Sequence, residues 1–147
     1  MSKQFTLIAP AYSGQGVRVD RNNCAVRALA NVTGRDYNEL HQAMKKHGRT
    51  DGKGTPWGVC TKVYEACGLR VVGVFGSTKM ATSLKFHHFK TAEQHKGMTL
   101  ARFIKENPTG RFVVGIRGHN TTVINGKLVD SFAVKGSASV IAVWKYE

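Results

Sequence analysis

The apolar positions of the chain change their period part-way along it. In "CAVRALANVTG" (24–34), Val26, Leu29, Ala30 and Val32 fall where a buried helix needs them. Asn22 or Asn23 supplies the N-cap, Cys24 lies in the first turn, and Gly34 is the C-terminal stop. "DYNELHQAMKKHG" (36–48) predicts a second helix. Asp36 and Glu39 stand as a capping box, Tyr37, Leu40 and Met44 line one stripe, two lysines occupy the last turn, and Gly48 terminates it. "TPWGVCTKVYEACG" (55–68) predicts a third, with a Thr cap, Pro56 at the first helical position and Gly68 at the end. A strand, "LRVVGVF", follows. Residues 76–97 show no clear period, and "TLARFIKEN" is a short capped helix stopped by Pro108. Beyond it come "RFVVGIR", a hairpin, and a last strand, "SVIAVWKY". Leading helices followed by antiparallel strands, with no repeat or linker, predict one α+β domain over 1–147, residues 1–21 being an arm or short strand.

The hairpin is the best-specified part. Asn125-Gly126 is the only Asn-Gly dipeptide in the chain, and it lies between short apolar runs. A two-residue turn needs positive φ at both central positions, which these residues supply. That turn pairs Ile124 with Lys127, Val123 with Leu128, Thr122 with Val129 and Thr121 with Asp130. Alternation then puts His119, Thr121 and Asp130 on one face, His119 diagonal to Asp130 and within side-chain reach. A carboxylate so placed fixes the tautomer of an imidazole and favours its charged form.

Charge and cysteine content narrow the remaining possibilities. Lys and Arg number 22 against 9 Asp and Glu, a net charge of +13 with a pI near 10.1, and the basic residues are spread along the chain. Such a field attracts polyanions without naming one; nucleic acid or an acidic host protein would both suit it. The apolar content of 41% and mean hydropathy of −0.26 are those of an ordinary globular domain. No apolar run reaches membrane-spanning length and no secretory signal is legible, so a cytoplasmic protein is expected. Cys24, Cys60 and Cys67 show neither CxxC nor Cys/His metal spacing, so neither a disulfide framework, a metal nor a cofactor is expected. Cys60 and Cys67, seven apart on one helix face, read as core, as do Trp57 and Trp144. His41 and His47, on a charged helix, read as solvated. "KFHHFK", with His87-His88 between Phe86 and Phe89, reads as a surface segment with two aromatic anchors rather than a metal or nucleobase site.

A thiol in the first turn of a helix feels the positive end of the helix dipole, which favours thiolate. Were the hairpin to pack across that helix start, His119 would meet Cys24, with Asp130 orienting the ring. In this order, "NNCAVRALANVTG" and then "RFVVGIRGHNTTVINGKLVDS" resemble the papain-like cysteine peptidase fold. The layout is similar to bacteriocin-leader peptidase domains and small phage-encoded papain-like proteins. In that group a Cys starts the central helix, a His starts a strand after a Gly, and an Asp or Asn lies on the next strand. The resemblance spans roughly Asn22 to Trp144. It implies Cys24 as nucleophile, His119 as base and Asp130 as orienter of a thiol hydrolase acting on a protein or peptide, in the host cytoplasm if phage-encoded.

One position departs from the pattern. Papain-like enzymes usually carry a Gln before the Cys to help bind the oxyanion; at the usual six-residue offset stands Arg18, and the nearest Gln is Gln15. Asn23, Asn22 or Gln15, beside the backbone N–H of Cys24, are the substitutes available. Losing one oxyanion donor costs ~2.7–4 kcal/mol in the transition state. Two outcomes therefore stay open: a working peptidase or isopeptidase, or the same scaffold as a basic binding module for a host protein or nucleic acid. Acyl transfer to an amine, through the same acyl-enzyme, is a third.

Overall fold

The computed structural model describes residues 7–8, 24–49, 57–75, 97–130 and 134–147. Their elements, in chain order, are β1 (Leu7–Ile8), α1 (Cys24–Thr33), α2 (Tyr37–Lys46), α3 (Trp57–Ala66), β2 (Leu69–Val74), β3 (Met98–Thr99), α4 (Leu100–Glu106), β4 (Arg111–Ile116), β5 (His119–Ile124), β6 (Lys127–Val129) and β7 (Ser139–Tyr146). The expected α+β order, helices first and a sheet after, is present. The sheet runs β1-β6-β5-β4-β7-β2, with β3 on the end of β7. It departs from a purely antiparallel, C-terminal sheet in one respect. β1 pairs parallel with β6, Leu7 beside Leu128 and Ile8 beside Val129, while the other pairs are antiparallel.

Local chemistry ends the helices where positive φ is needed. Gly34, Gly48 and Gly68 sit at φ 74°, 117° and 95° after α1, α2 and α3. Asp36 caps α2 by accepting from the backbone N–H of Asn38 at 3.0 Å. The expected capping box is not what Glu39 makes, because its carboxylate turns to Arg35, one helical turn back. Thr99 caps α4 through the N–H of Arg102 at 3.2 Å. At the hairpin tip Asn125 and Gly126 have φ 49° and 74°, and the register is Thr122–Val129, Val123–Leu128, Ile124–Lys127. Asn125 also accepts from the N–H of Gly110 at 3.0 Å, which ties the tip to the start of β4.

The sheet separates two apolar layers. Val113, Ala142 and Trp144 face α1, α2 and α3, packing with Val26, Leu29, Leu40, Met44 and Tyr64. Phe112, Val114, Ile116, Val123 and Val143 face α4, packing with Leu100 and Phe103. Strands buried on both faces read as continuous apolar runs, as "RFVVGI" and "VIAVW" do. Trp144 lies in the core, edge-on to Tyr64 with ring centroids 5.1 Å apart.

An expectation about α2 is corrected, and one about α3 is refined. His41 is not solvated: only 1% exposed, it packs beside Tyr37, and its Nε2 accepts from Nη1 of buried Arg49 at 3.3 Å. Cys67 packs against the core, as expected, but less completely than Cys60. It lies beyond the helix end, half-buried at the edge of the core, its Sγ accepting from Arg35 at 3.2 Å, whereas Cys60 is buried. Among the described residues no helix is long and apolar enough to cross a membrane.

Candidate active site

Helix α1 runs along β5, and three bonds set its position. Thr122 Oγ1 donates to the Ala28 carbonyl at 3.1 Å. Arg111 Nη1 donates to the Val32 carbonyl at 3.2 Å, putting a cation at the negative end of the helix. Near the other end, Tyr64 Oη donates to the Ala25 carbonyl at 2.7 Å and accepts from Asn120 Nδ2 at 3.1 Å. The small side chains of Ala25, Ala28 and Ala30 let the helix approach closely. Cys24, the first residue of α1, therefore comes level with His119, the first residue of β5.

The sheet face of His119 completes the arrangement. His119 Nε2 donates to Asp130 Oδ2 at 2.6 Å, and the hydroxyl of Thr121 donates to the same oxygen at 2.7 Å. Asp130 is 6% exposed and follows the last residue of β6, opposite Thr121 as the turn register requires. With Nε2 committed to Asp130, Nδ1 is the nitrogen left for the side-chain hydrogen bond between His119 and Cys24. The backbone N–H of Asn120 is a second donor to the Cys24 sulfur.

The electrostatics follow from these contacts. Burial by itself would push the Cys24 thiol up. The bond to His119, the Asn120 N–H and the charges of His119 and Arg27 outweigh it, and the thiol lies below its ordinary value. Burial would likewise lower His119, but the bonds to Asp130 and Cys24 and their negative charges push it up to about 9. The same surroundings thus favour thiolate and imidazolium together over a band of pH. The other thiols behave oppositely: Cys60 is pushed up to about 12, mainly by burial, and burial also raises Cys67.

No family model matches the chain, nor does any curated protein or solved structure.

Of the residues picked out from the sequence, Cys24, His119 and Asp130 come together. Gln15, Asn22 and Asn23, the oxyanion candidates, lie outside the described residues, as do Arg18, His87, His88 and most of the stretches 49–55 and 76–97. Thr121, Tyr64 and Asn120 belong to the site's surroundings and were given no role from sequence. Asn120 carried a signal, since Asn is uncommon inside a strand unless its amide has a partner. Among the described residues no group of three or more His, Cys, Asp or Glu could hold a metal ion.

Proposed function

We propose that the protein is a papain-like thiol hydrolase, a peptidase or isopeptidase, in which Cys24, His119 and Asp130 act in sequence. The observation that carries this reading is the chain of contacts from Cys24 through the two nitrogens of His119 to Asp130, with the thiol at a helix start and held below its ordinary pKa. The Cys24 thiolate attacks the carbonyl carbon of the substrate, forming the C–S bond as negative charge moves to oxygen. Collapse of that intermediate expels the amine, which takes a proton from His119. A water then gives its proton to His119 and its oxygen to the acyl carbon, and Cys24 leaves as thiolate. Asp130 holds the ring and stabilises its charge throughout. An amine in place of water gives acyl transfer by the same steps.

The test is cleavage of a proteome-derived peptide library, read by mass spectrometry, together with the pH profile of Cys24 alkylation beside Cys60 and Cys67. We expect new termini that vanish in Cys24→Ala and His119→Ala, and Cys24 labelling that persists well below pH 7. Identical product sets from wild type and Cys24→Ala would overturn the reading. The net charge of +13 supports a second one, a basic binding module on the same scaffold. Its signature is binding to nucleic acid that survives Cys24→Ser and weakens with salt, by about 0.9 log units per log unit of salt for each phosphate contacted on duplex DNA.

A further inference from the structure

We propose that Tyr64 and Asn120 are positioning residues of this site, forming a clamp that sets the spacing between the nucleophile's helix and the base's strand. The inference rests on the reading of Cys24 and His119 as a reacting pair, and it adds two residues whose side chains touch neither substrate nor reacting atoms.

The clamp is a chain of two hydrogen bonds through one hydroxyl. Asn120 Nδ2 donates to Tyr64 Oη at 3.1 Å, and Tyr64 Oη donates to the Ala25 carbonyl at 2.7 Å. Its ends are the residues next to Cys24 and next to His119. A slide of α1 along β5 that lengthens the Cys24–His119 contact therefore strains these bonds as well. Both bonds are shielded from water, Tyr64 being 0% and Asn120 7% exposed. A hydroxyl acting at once as donor and acceptor polarises both bonds, and buried chains of this kind resist distortion more than either bond alone.

Tyr64 is itself held. Its ring lies edge-on to Trp144 of β7, so the hydroxyl is aimed from a fixed platform in the core. Asn120 has a second duty that ties the clamp to the sulfur, because its backbone N–H faces Cys24 while its amide faces Tyr64. Strand alternation makes this possible. His119 and Thr121 point to one side of β5, where Asp130 waits, and Asn120 points to the other, toward the helices.

The experiment is the pH dependence of Cys24 alkylation, followed by mass spectrometry, in wild type, His119→Ala, Tyr64→Phe, Asn120→Ala and Tyr64→Phe/Asn120→Ala, with thermal melts of each. Tyr64→Phe keeps the ring and its packing and removes only the hydroxyl. Asn120→Ala keeps the backbone N–H and removes only the amide. We expect labelling at pH 6 to fall about tenfold in Tyr64→Phe, equivalent to a rise of about one pH unit in the labelling midpoint. Asn120→Ala should move it the same way by less, and the double variant no further than Tyr64→Phe, since all three break one chain. Phe103→Leu, in the opposite layer, is the control: it lowers the melting temperature and leaves the midpoint in place. If the midpoint of Tyr64→Phe stays with wild type, or moves no more than that of Phe103→Leu, the clamp is wrong while the reacting pair stands. If wild-type Cys24 labels like an ordinary thiol with or without His119, the pair itself fails, and the clamp with it.

Discussion

Asp130 acts on His119 in two ways that substitution can separate: it accepts a hydrogen bond, and it carries charge. Burial of the ring is the largest single influence and favours the neutral form. The hydrogen bond to Asp130 comes next in the opposite direction, ahead of the carboxylate's charge. The net rise from 6.5 to about 9 is a preference for the charged ring of about 3 kcal/mol. Asp130→Asn retains an acceptor oxygen without the charge, whereas Asp130→Ala removes both and leaves burial opposed by Cys24 alone.

We therefore expect His119 to titrate near or below 6.5 in Asp130→Ala and between that and the wild-type value in Asp130→Asn. The assay is NMR of labelled imidazole rings from pH 5 to 10, with His119→Gln to assign the signal among the six histidines. Because thiol and imidazole titrate as a coupled pair, a Cys24→Ser background isolates the part due to Asp130. There His119 should lie above 6.5 and below about 9. Wild-type His119 titrating near 6.5, or both Asp130 variants titrating like wild type, would refute the electrostatic account.

Three further outcomes follow from the same contacts. Thr121→Val removes the hydroxyl donor to Asp130 Oδ2 in a site where Thr121 is 1% exposed. A loss of about 1–2 kcal/mol in denaturant unfolding is expected. The raised value of His119 means that its contribution to stability is fully present below 6.5 and is lost as pH rises through about 9. The excess stability of wild type over His119→Gln should thus be largest near pH 6 and decline toward pH 9, as read by melts across that range. Gly126→Ala puts a Cβ at φ 74° and 3.4 Å from the Pro108 carbonyl oxygen, and should cost about 1–2 kcal/mol in the same unfolding assay.

What could be read from the chain alone divides along a physical line. Hairpin register and helix ends are local. Asn125-Gly126 can take positive φ at both positions, Gly34 and Gly68 can follow a helix in that conformation, and no distant residue is needed to know it. The His119–Asp130 contact is nearly as local, being two positions on strands joined by that turn. The meeting of Cys24 with His119 is different, because it depends on how α1 lies on β5. That is decided by Thr122 on Ala28, Arg111 on Val32 and Tyr64 on Ala25, pairs far apart in the chain and silent as motifs. The parallel pairing of β1 with β6 is non-local in the same way. His41 differs from its expected place for another reason. Its place four residues after Tyr37 and three before Met44 puts it on the buried stripe, although the helix around it is charged.

β5 shows why so short a strand bears so much of the site. Its period of two sends His119 and Thr121 to Asp130 and sends Asn120 and Thr122 to Tyr64 and Ala28. One face holds the His119 ring against Asp130, and the other bonds toward α3 and α1. A slip of one residue in the hairpin would exchange the two sets, pointing imidazole at the helices and amide at the carboxylate, so a shifted register breaks every one of these contacts at once. The requirement then falls on the turn that fixes the register. Asn125 meets it with backbone and side-chain bonds to Gly110, at 2.9 and 3.0 Å, that lock the tip to β4. A lengthened turn, such as a glycine inserted between Asn125 and Gly126, should therefore abolish the His119–Asp130 contact while leaving β4 and β7 paired. In the imidazole titration this would appear as His119 losing its raised value in a protein that still melts cooperatively.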